Sequence, residues 1–293
     1  MPQTHATDAD AVRILHLSDP HMTASGRDAD GVDAARALEL LLSSLEDVHD
    51  LDLVLTTGDV ADDGSVGGCV RVRDLVGAFA EARGVPHVYT TGNHDSRSAF
   101  GEVFGSGHLD HRGGDAGLRA PVDACAGLSL VRGLRLVTLD SLVPGFAHGH
   151  LDDAQLDWLR EVLAEPAERG TVLALHHPPI SPARHPMADM VLREPARLRQ
   201  VVEGTDVVAV LCGHLHHQMA GALGTVPVHV APGIVTRIDL AAPVGRIRGV
   251  LGPAAAVVEV GRHGTPIVAT LTAHDPRAGE LVYEVDAAPM AYR

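Results

Sequence analysis

Five times along this chain a short apolar, strand-like run stops at residues able to hold a metal ion. Residues 12–17 give way to Ser18-Asp19-Pro20-His21, residues 51–56 to Gly58-Asp59, and residues 86–91 to Gly92-Asn93-His94-Asp95. Residues 171–175 run into His176-His177-Pro178-Pro179, and residues 207–211 into Gly213-His214-Leu215-His216. Any one of these groups reads as an ordinary turn. Five of them, each directly after an apolar run, do not fall there by accident. Between the runs, residues 33–48, 69–83, 152–163 and 190–202 space apolar residues by three and four, as amphipathic helices do, the last interrupted near Pro195. Strands alternating with helices predict an α/β layer architecture, in which neighbouring strands deliver side chains to one common edge.

The donor chemistry narrows the reading. The clusters hold carboxylates, imidazoles and one carboxamide. The three cysteines, Cys69, Cys125 and Cys212, are odd in number and widely spaced, and make neither a disulfide framework nor a thiolate zinc site. Nitrogen and oxygen ligands suit Mn, Fe, Zn or Co at five or six coordination rather than a structural zinc. There are more donors than one ion can take, so two divalent ions are expected. A carboxylate such as Asp59 can bridge them at roughly 3.5–4 Å. The 38 acidic against 23 basic residues, a net charge of −15, argue against nucleic acid or an anionic membrane held on a basic surface. Two ions, offset by two carboxylates and a hydroxide, still leave about one positive charge to receive a small monoanionic phosphodiester.

No apolar run reaches the 18 residues of a membrane span, and the opening MPQTHATDADAV lacks the pattern of a signal peptide, so a cytoplasmic protein is expected. With four Phe, three Tyr and one Trp, the core must be built from aliphatic residues. The layout expected is a loose tail over 1–11, a core over 12–240, and a β-rich extension over 241–293 packing on the same domain. Strand-like runs at 255–260, 266–273 and 280–285 are expected to finish the second sheet or to serve a subunit contact. Residues 105–127 read as a surface loop and, with 178–190, as the walls of the substrate approach; 128–139 reads as a hairpin.

In order and spacing the five blocks resemble the signature motifs of the calcineurin-like metallophosphoesterases, over residues 14 to about 217. The Ser-Asp-Pro-His, Gly-Asp-Val-Ala-Asp and His-His-Pro-Pro wording is most similar to the class III cyclic-nucleotide phosphodiesterases and the bacterial glycerophosphodiesterases. It departs from purple acid phosphatases, because Asp62 stands where they carry an iron-ligating tyrosine. The resemblance implies a four-layer αββα sandwich of two mixed β-sheets with a dinuclear site at the strand ends. It implies one metal on Asp19, His21, Asp59 and His216, and a second on Asp59, Asn93, His176 and His214. His176 rather than His177 is the ligand by that likeness. His94 would be the catalytic histidine, and Asp95 either orients it or caps the next helix. The implied reaction is hydrolysis of a small phosphodiester by a metal-bridging hydroxide, with 3′,5′-cyclic AMP the best substrate. Glycerophosphodiesters or other small diesters come next, and a non-catalytic metal-binding scaffold ranks last. Mn or Fe is the expected metal pair, Zn or Co the alternative, and a homodimer is a family expectation.

The remaining candidates receive structural readings. His108, His111, His148, His150, His185, His229 and His263 lie in turn-like contexts and are expected at the surface. His16 is expected to be packed or beside the ligands, and His217 beside them or exposed. Cys212 and Trp158 are expected to pack, and Arg97 and Arg184 are given no role.

Overall fold

The first strand shows how the sequence builds its layers. In the computed structural model, which describes residues 10–182, 187–262 and 265–286, β1 (Val12–Leu17) sends Val12 and Ile14 to one face and Leu15 and Leu17 to the other, all buried. A strand covered on both faces needs no polar alternation, and only Arg13 and His16 interrupt the apolar residues of β1. The chain continues through α1 (Ala34–Ser44), β2 (Leu53–Thr57), α2 (Val66–Glu81), β3 (His87–Thr90), α3 (Arg97–Phe104), β4 (His108–Leu109) and β5 (Leu118–Arg119). Next come β6 (Gly127–Val131), β7 (Leu134–Thr138), α4 (Asp153–Leu163), β8 (Thr171–Ala174), α5 (Pro195–Val202), β9 (Val207–Cys212), β10 (Met219–Leu223) and β11 (Val226–Val230). The last strands are β12 (Arg237–Ile238), β13 (Arg246–Val250), β14 (Ala254–Val260), β15 (Ile267–Thr272) and β16 (Leu281–Asp286).

Two mixed sheets form, in the orders β15-β14-β1-β2-β3-β4 and β10-β11-β9-β8-β7-β6-β5, beside a small sheet β12-β13-β16. β1, β2 and β3 are parallel, as are β7, β8, β9 and β11, so the carboxyl ends within each set share an edge. Val12, Ile14, Leu53 and Leu55 of the first sheet meet Leu136, Val172, Ala209 and Leu211 of the second in one aliphatic layer. Leu38 of α1, Val76 of α2 and Phe100 of α3 cover the outer face of the first sheet; Leu159 of α4 and Val201 of α5 cover that of the second. This is the four-layer αββα sandwich. Among the described residues no helix is long and apolar enough to cross a membrane.

Several expectations shift. β14 and β15 join the first sheet, with β14 antiparallel to β1, rather than finishing the second. The helix expected from residue 190 begins at Pro195, where the missing amide costs nothing and the ring presets φ. α2 begins earlier than expected because the Ser65 hydroxyl accepts the Gly68 amide and caps it. Within 105–127 two short strands, β4 and β5, form. His108 is fully buried, not exposed, because Ser129 Oγ (2.7 Å) and Thr138 Oγ1 (3.0 Å) take up its two ring nitrogens. His111, His148, His150 and His229 are half-buried, and His217 is buried with Nδ1 on the Leu215 carbonyl. Trp158 and Cys212 pack in the second sheet's outer core. Arg184, His185 and His263 lie outside the described residues.

Candidate metal centre

The loops that carry the five motifs extend the parallel edge by backbone pairing. The His21 amide donates to the Asp59 carbonyl (2.9 Å), and the Gly213 amide to the His176 carbonyl (3.0 Å). To turn their side chains together the loops adopt left-handed backbone. Asp19 (φ 56°), His21 (41°), Asp59 (46°), His214 (75°) and His216 (51°) all do so, a conformation that costs non-glycine residues of order 1 kcal/mol or more each. Five of the eight non-glycine residues with positive φ among those described are thus motif residues, and backbone strain concentrates here. Crowding selects glycine at two further positions. A Cβ on Gly92 would land on the Asp59 amide and carboxylate, and one on Gly213 on the Ser18 hydroxyl.

The donors converge. His21 Nε2 lies 3.0 Å from His216 Nε2, and Asp19 Oδ1 is 3.4 Å from the same His216 atom. His176 Nε2 lies 3.1 Å from His214 Nδ1, 3.2 Å from Asn93 Oδ1 and 3.2 Å from Asp59 Oδ2. His21 Nε2 approaches that Asp59 oxygen at 3.5 Å, which places Asp59 between the two groups. Two imidazole nitrogens facing one another at 3 Å require a proton or a cation between them, and both carboxylates are fully buried. The nitrogen and oxygen donors therefore fit divalent metal ions. His94 stands at the rim: its amide donates to Asp59 Oδ1 (2.9 Å), and its ring meets the His21 ring edge-on at 4.7 Å.

Around this core a second set of contacts fixes orientation, and Asp62 is its hub. One Asp62 oxygen is 2.8 Å from His21 Nδ1 and 3.2 Å from His94 Nδ1; the other accepts the Ala29 amide at 2.7 Å. The Asp62 carbonyl is 3.0 Å from the same His94 nitrogen. His176 Nδ1 donates to the Thr57 carbonyl (2.8 Å). His216 Nδ1 meets Thr236 Oγ1 (2.8 Å), and Thr236 lies near Tyr283 of β16. Such contacts fix the tautomer and ring angle of a ligating histidine.

Asp95 does something else. Its carboxylate accepts the backbone amides of Val60 (3.0 Å), Ala61 (2.8 Å) and Gly92 (2.8 Å), stapling the loop after β2 to the loop after β3. The expectation that Asp95 orients His94 or caps α3 is corrected, because its carboxylate is turned to those three amides, α3 has no side-chain cap, and Asp62 is the carboxylate on the ring. Arg97 also gains a part. With Nε 2.5 Å from the buried Asp140, which holds Thr91 Oγ1 at 2.7 Å, it anchors the loop leading to Asn93. Asp62, with its place in the Gly-Asp-Val-Ala-Asp block, and Asp140, two residues after β7, had readable local signals. Thr236 and Tyr283 had none.

The charges follow from burial and neighbours. Burial opposes ionisation of Asp59, but the imidazoles of His176, His94 and His21 outweigh it and hold the carboxyl well below its usual range. Asp19 is likewise held low against burial, by His216 and His176. Burial would strip the proton from His176, yet Asp59 and Asp19 raise its pKa to about 9; Asp59 and Asp62 raise His94 to about 10 in the same way. His214, buried beside the charged His176, is driven down to about 3. Burial and the Asp59 charge push Asp95 up to about 7. Because the folded His176 pKa exceeds the unfolded value of 6.5, its contribution to stability without metal is fully present below 6.5. It is lost as pH rises through about 9. A cation entering the cluster must displace that proton. Adding Mn²⁺ to metal-free protein at pH 7 is therefore expected to release at least about one proton per chain, read by calorimetry in buffers of different ionisation enthalpy. Release should fade above about pH 9; none at pH 7 would remove His176 from the metal site.

Beside the cluster opens a cavity of about 310 Å³, floored by His21, Asp59, His94, His214 and His216. Asp28 and Asp30 line one side, and Met187, Met190, Val235, Ile238, Tyr283 and Val285 form an apolar wall. Residues 178–190 contribute the two methionines as expected. Residues 105–127 contribute none of the lining, and β16 takes that place because the small sheet folds back over the site.

A family profile described as calcineurin-like phosphoesterase matches residues 12–218. A probable cyclic nucleotide phosphodiesterase of Rhodococcus erythropolis is 39% identical over 239 residues, covering 80% of this chain and 75% of that protein. A cAMP/cGMP dual specificity phosphodiesterase of Mycobacterium tuberculosis is 39% identical over 238 residues, covering 80% of this chain and 71% of that one. Among solved structures, a purple acid phosphatase from yellow lupin seeds superposes with a TM-score of 0.59 at 14% identity, over 94% of this chain and 54% of its own. That last likeness is one of fold.

Proposed function

The chain belongs to the calcineurin-like phosphoesterase family, and on that premise we propose that it hydrolyses 3′,5′-cyclic AMP to 5′-AMP with two divalent ions, Mn or Fe. The observation that carries the reading is the convergence of seven nitrogen and oxygen donors, Asp59 at their centre, beside a cavity with an apolar wall. Asp19, His21, Asp59 and His216 would hold one ion; Asp59, Asn93, His176 and His214 would hold the other. When bound, the pair supplies a water deprotonated near neutral pH and screens charge on the phosphoryl oxygens.

The protein's own groups do the rest. His94, kept protonated by Asp62 at Nδ1, carries a second proton on Nε2 for the departing alkoxide, which leaves as the 3′-hydroxyl. Asp62 fixes that ring and the His21 ring with one carboxylate, so acid and metal site keep a common frame. The wall of Met187, Met190, Ile238 and Tyr283 suits a flat organic group, and burying it there keeps water off one side of the phosphate. The described lining contains no Arg or Lys, which favours a monoanionic diester over a dianionic monoester. The three cysteines are buried and unpaired, which supports a reducing, cytoplasmic setting.

Asp28 and Asp30 beside the cavity favour a second reading, a glycerophosphodiester with a cationic headgroup. Both readings are tested with chelator-stripped protein reloaded with Mn²⁺. Cyclic AMP is expected to be turned over with a kcat/KM well above those of glycerophosphocholine and bis(p-nitrophenyl) phosphate. Rapid glycerophosphocholine cleavage with sluggish cyclic AMP would move the substrate to the second class, and no turnover with two ions bound would end the diesterase reading.

A further inference from the structure

His177 is the one motif histidine that neither the donor cluster nor the cavity uses, yet it is completely buried. Its Nδ1 lies 2.8 Å from Ser141 Oγ, and the same hydroxyl oxygen accepts the His177 amide at 3.3 Å. Its Nε2 is shielded from solvent and has no hydrogen-bond partner. The adjacent ring, His214, has its centroid 4.6 Å away at an interplanar angle of 56°. His214 is in the same condition: Nδ1 faces the donor cluster, while Nε2 is buried without a partner. One nitrogen from each of His176, His177 and His214 lies within 4.8 Å of the others. Leaving a buried polar atom unmatched costs about 1–3 kcal/mol, so two orphaned nitrogens on touching rings point to a missing hydrogen bond.

We propose that His177 is the positioning residue for His214, accepting the Nε2 proton of His214, directly or through one water, and so fixing the tautomer that turns Nδ1 toward the second metal. The argument rests on the dinuclear reading above. A neutral imidazole carries one N–H, so a His214 that ligates through Nδ1 bears its proton on Nε2 and needs an acceptor there. Nε2 of His177 can accept only if the His177 proton sits on Nδ1, where Ser141 Oγ receives it. The space is shaped for the ring as well, since a Cβ on Gly149 would collide with it.

The test is metal titration of the full-length protein, supported by NMR. His177→Phe fills the space but cannot accept, and is expected to weaken the second Mn²⁺ by about 10–100-fold while the first binds as before. His177→Gln, which keeps an acceptor, should recover part of the loss. Ser141→Ala, a smaller change that guards against misfolding of the His177 variants, should weaken the same ion. In the Zn²⁺-loaded wild type, long-range ¹H–¹⁵N spectra should show the Nδ1–H tautomer at His177 and Nε2–H at His214. Unchanged affinity for the second ion in His177→Phe overturns the proposal, as does an Nε2–H tautomer at His177. Loss of that ion to the extent seen in His214→Ala would make His177 a ligand and overturn it too. A wild type that binds a single ion fails earlier, at the dinuclear reading itself.

Discussion

Asp59→Asn is expected to lower kcat by about 10³-fold or more, roughly 4 kcal/mol of barrier, and to reduce bound metal from two ions per chain to at most one. The substitution keeps the shape of the side chain and the oxygen that accepts the His94 amide, so the fold is retained. It removes the charge that three imidazoles share. Oδ2, 3.2 Å from His176 and 3.5 Å from His21, becomes an amide group that can neither bridge cations nor accept from those rings. Without metal the same change strips His176 of its main counter-charge, so its pKa should fall from about 9 toward the ordinary range. Metal analysis and turnover on the same preparation decide the matter. Two ions retained with near-normal kcat would show that Asp59 holds the loops and not the metals.

His94→Ala is expected to behave differently, losing about 10²–10⁴-fold in kcat with both ions still bound. The ring lies at the rim of the donor cluster with Nδ1 held by Asp62, so truncation removes a proton carrier and no donor from the metal set. The pH profile adds a signature. In the metal-free protein His94 is raised to about 10 by Asp59 and Asp62 against burial. Bound cations cancel most of the Asp59 part. The alkaline limb of kcat should then fall between 6.5 and about 10, activity declining as His94 loses its proton. That limb should vanish in His94→Ala and move to lower pH in Asp62→Asn. A variant that loses an ion along with its activity would instead make His94 a ligand.

The parts of this site that are local in sequence could be read before any fold was known. Asp19 and His21, Asp59, and His214 with His216 each sit a few residues after their strand, so motif spacing carried them. What makes them converge is not local. The left-handed backbone at five of these positions arises because both sheets crowd their loops onto one edge, and no residue type among Asp and His announces it. Asp62 stood in plain view as a departure from a related motif, but its double grip on His21 and His94 needed three dimensions. Tyr283 could not be found at all. It comes near Thr236, the partner of His216, because β16 pairs with β13, which is itself paired with β12. The burial of His108 is non-local for a similar reason, since Ser129 and Thr138 cover it from strands that follow it in the chain.

The seat of β14 beside β1 also sets a timetable for synthesis. Val12 pairs with Val260, so the strand that carries Asp19 and His21 to the site waits for a neighbour made about 250 residues later. At roughly 5–20 residues per second that wait on the ribosome is about 10–50 s. For about a third of it Asp19, His21, Asp59 and Asn93 have been translated, while the histidines that follow β8 and β9 have not. The nascent chain then offers a passing ion only half a cage, with mostly oxygen donors and β2 as the sole partner for β1. The full set of donors exists only once residue 216 has been made, and the last neighbour of β1 only once residue 260 has.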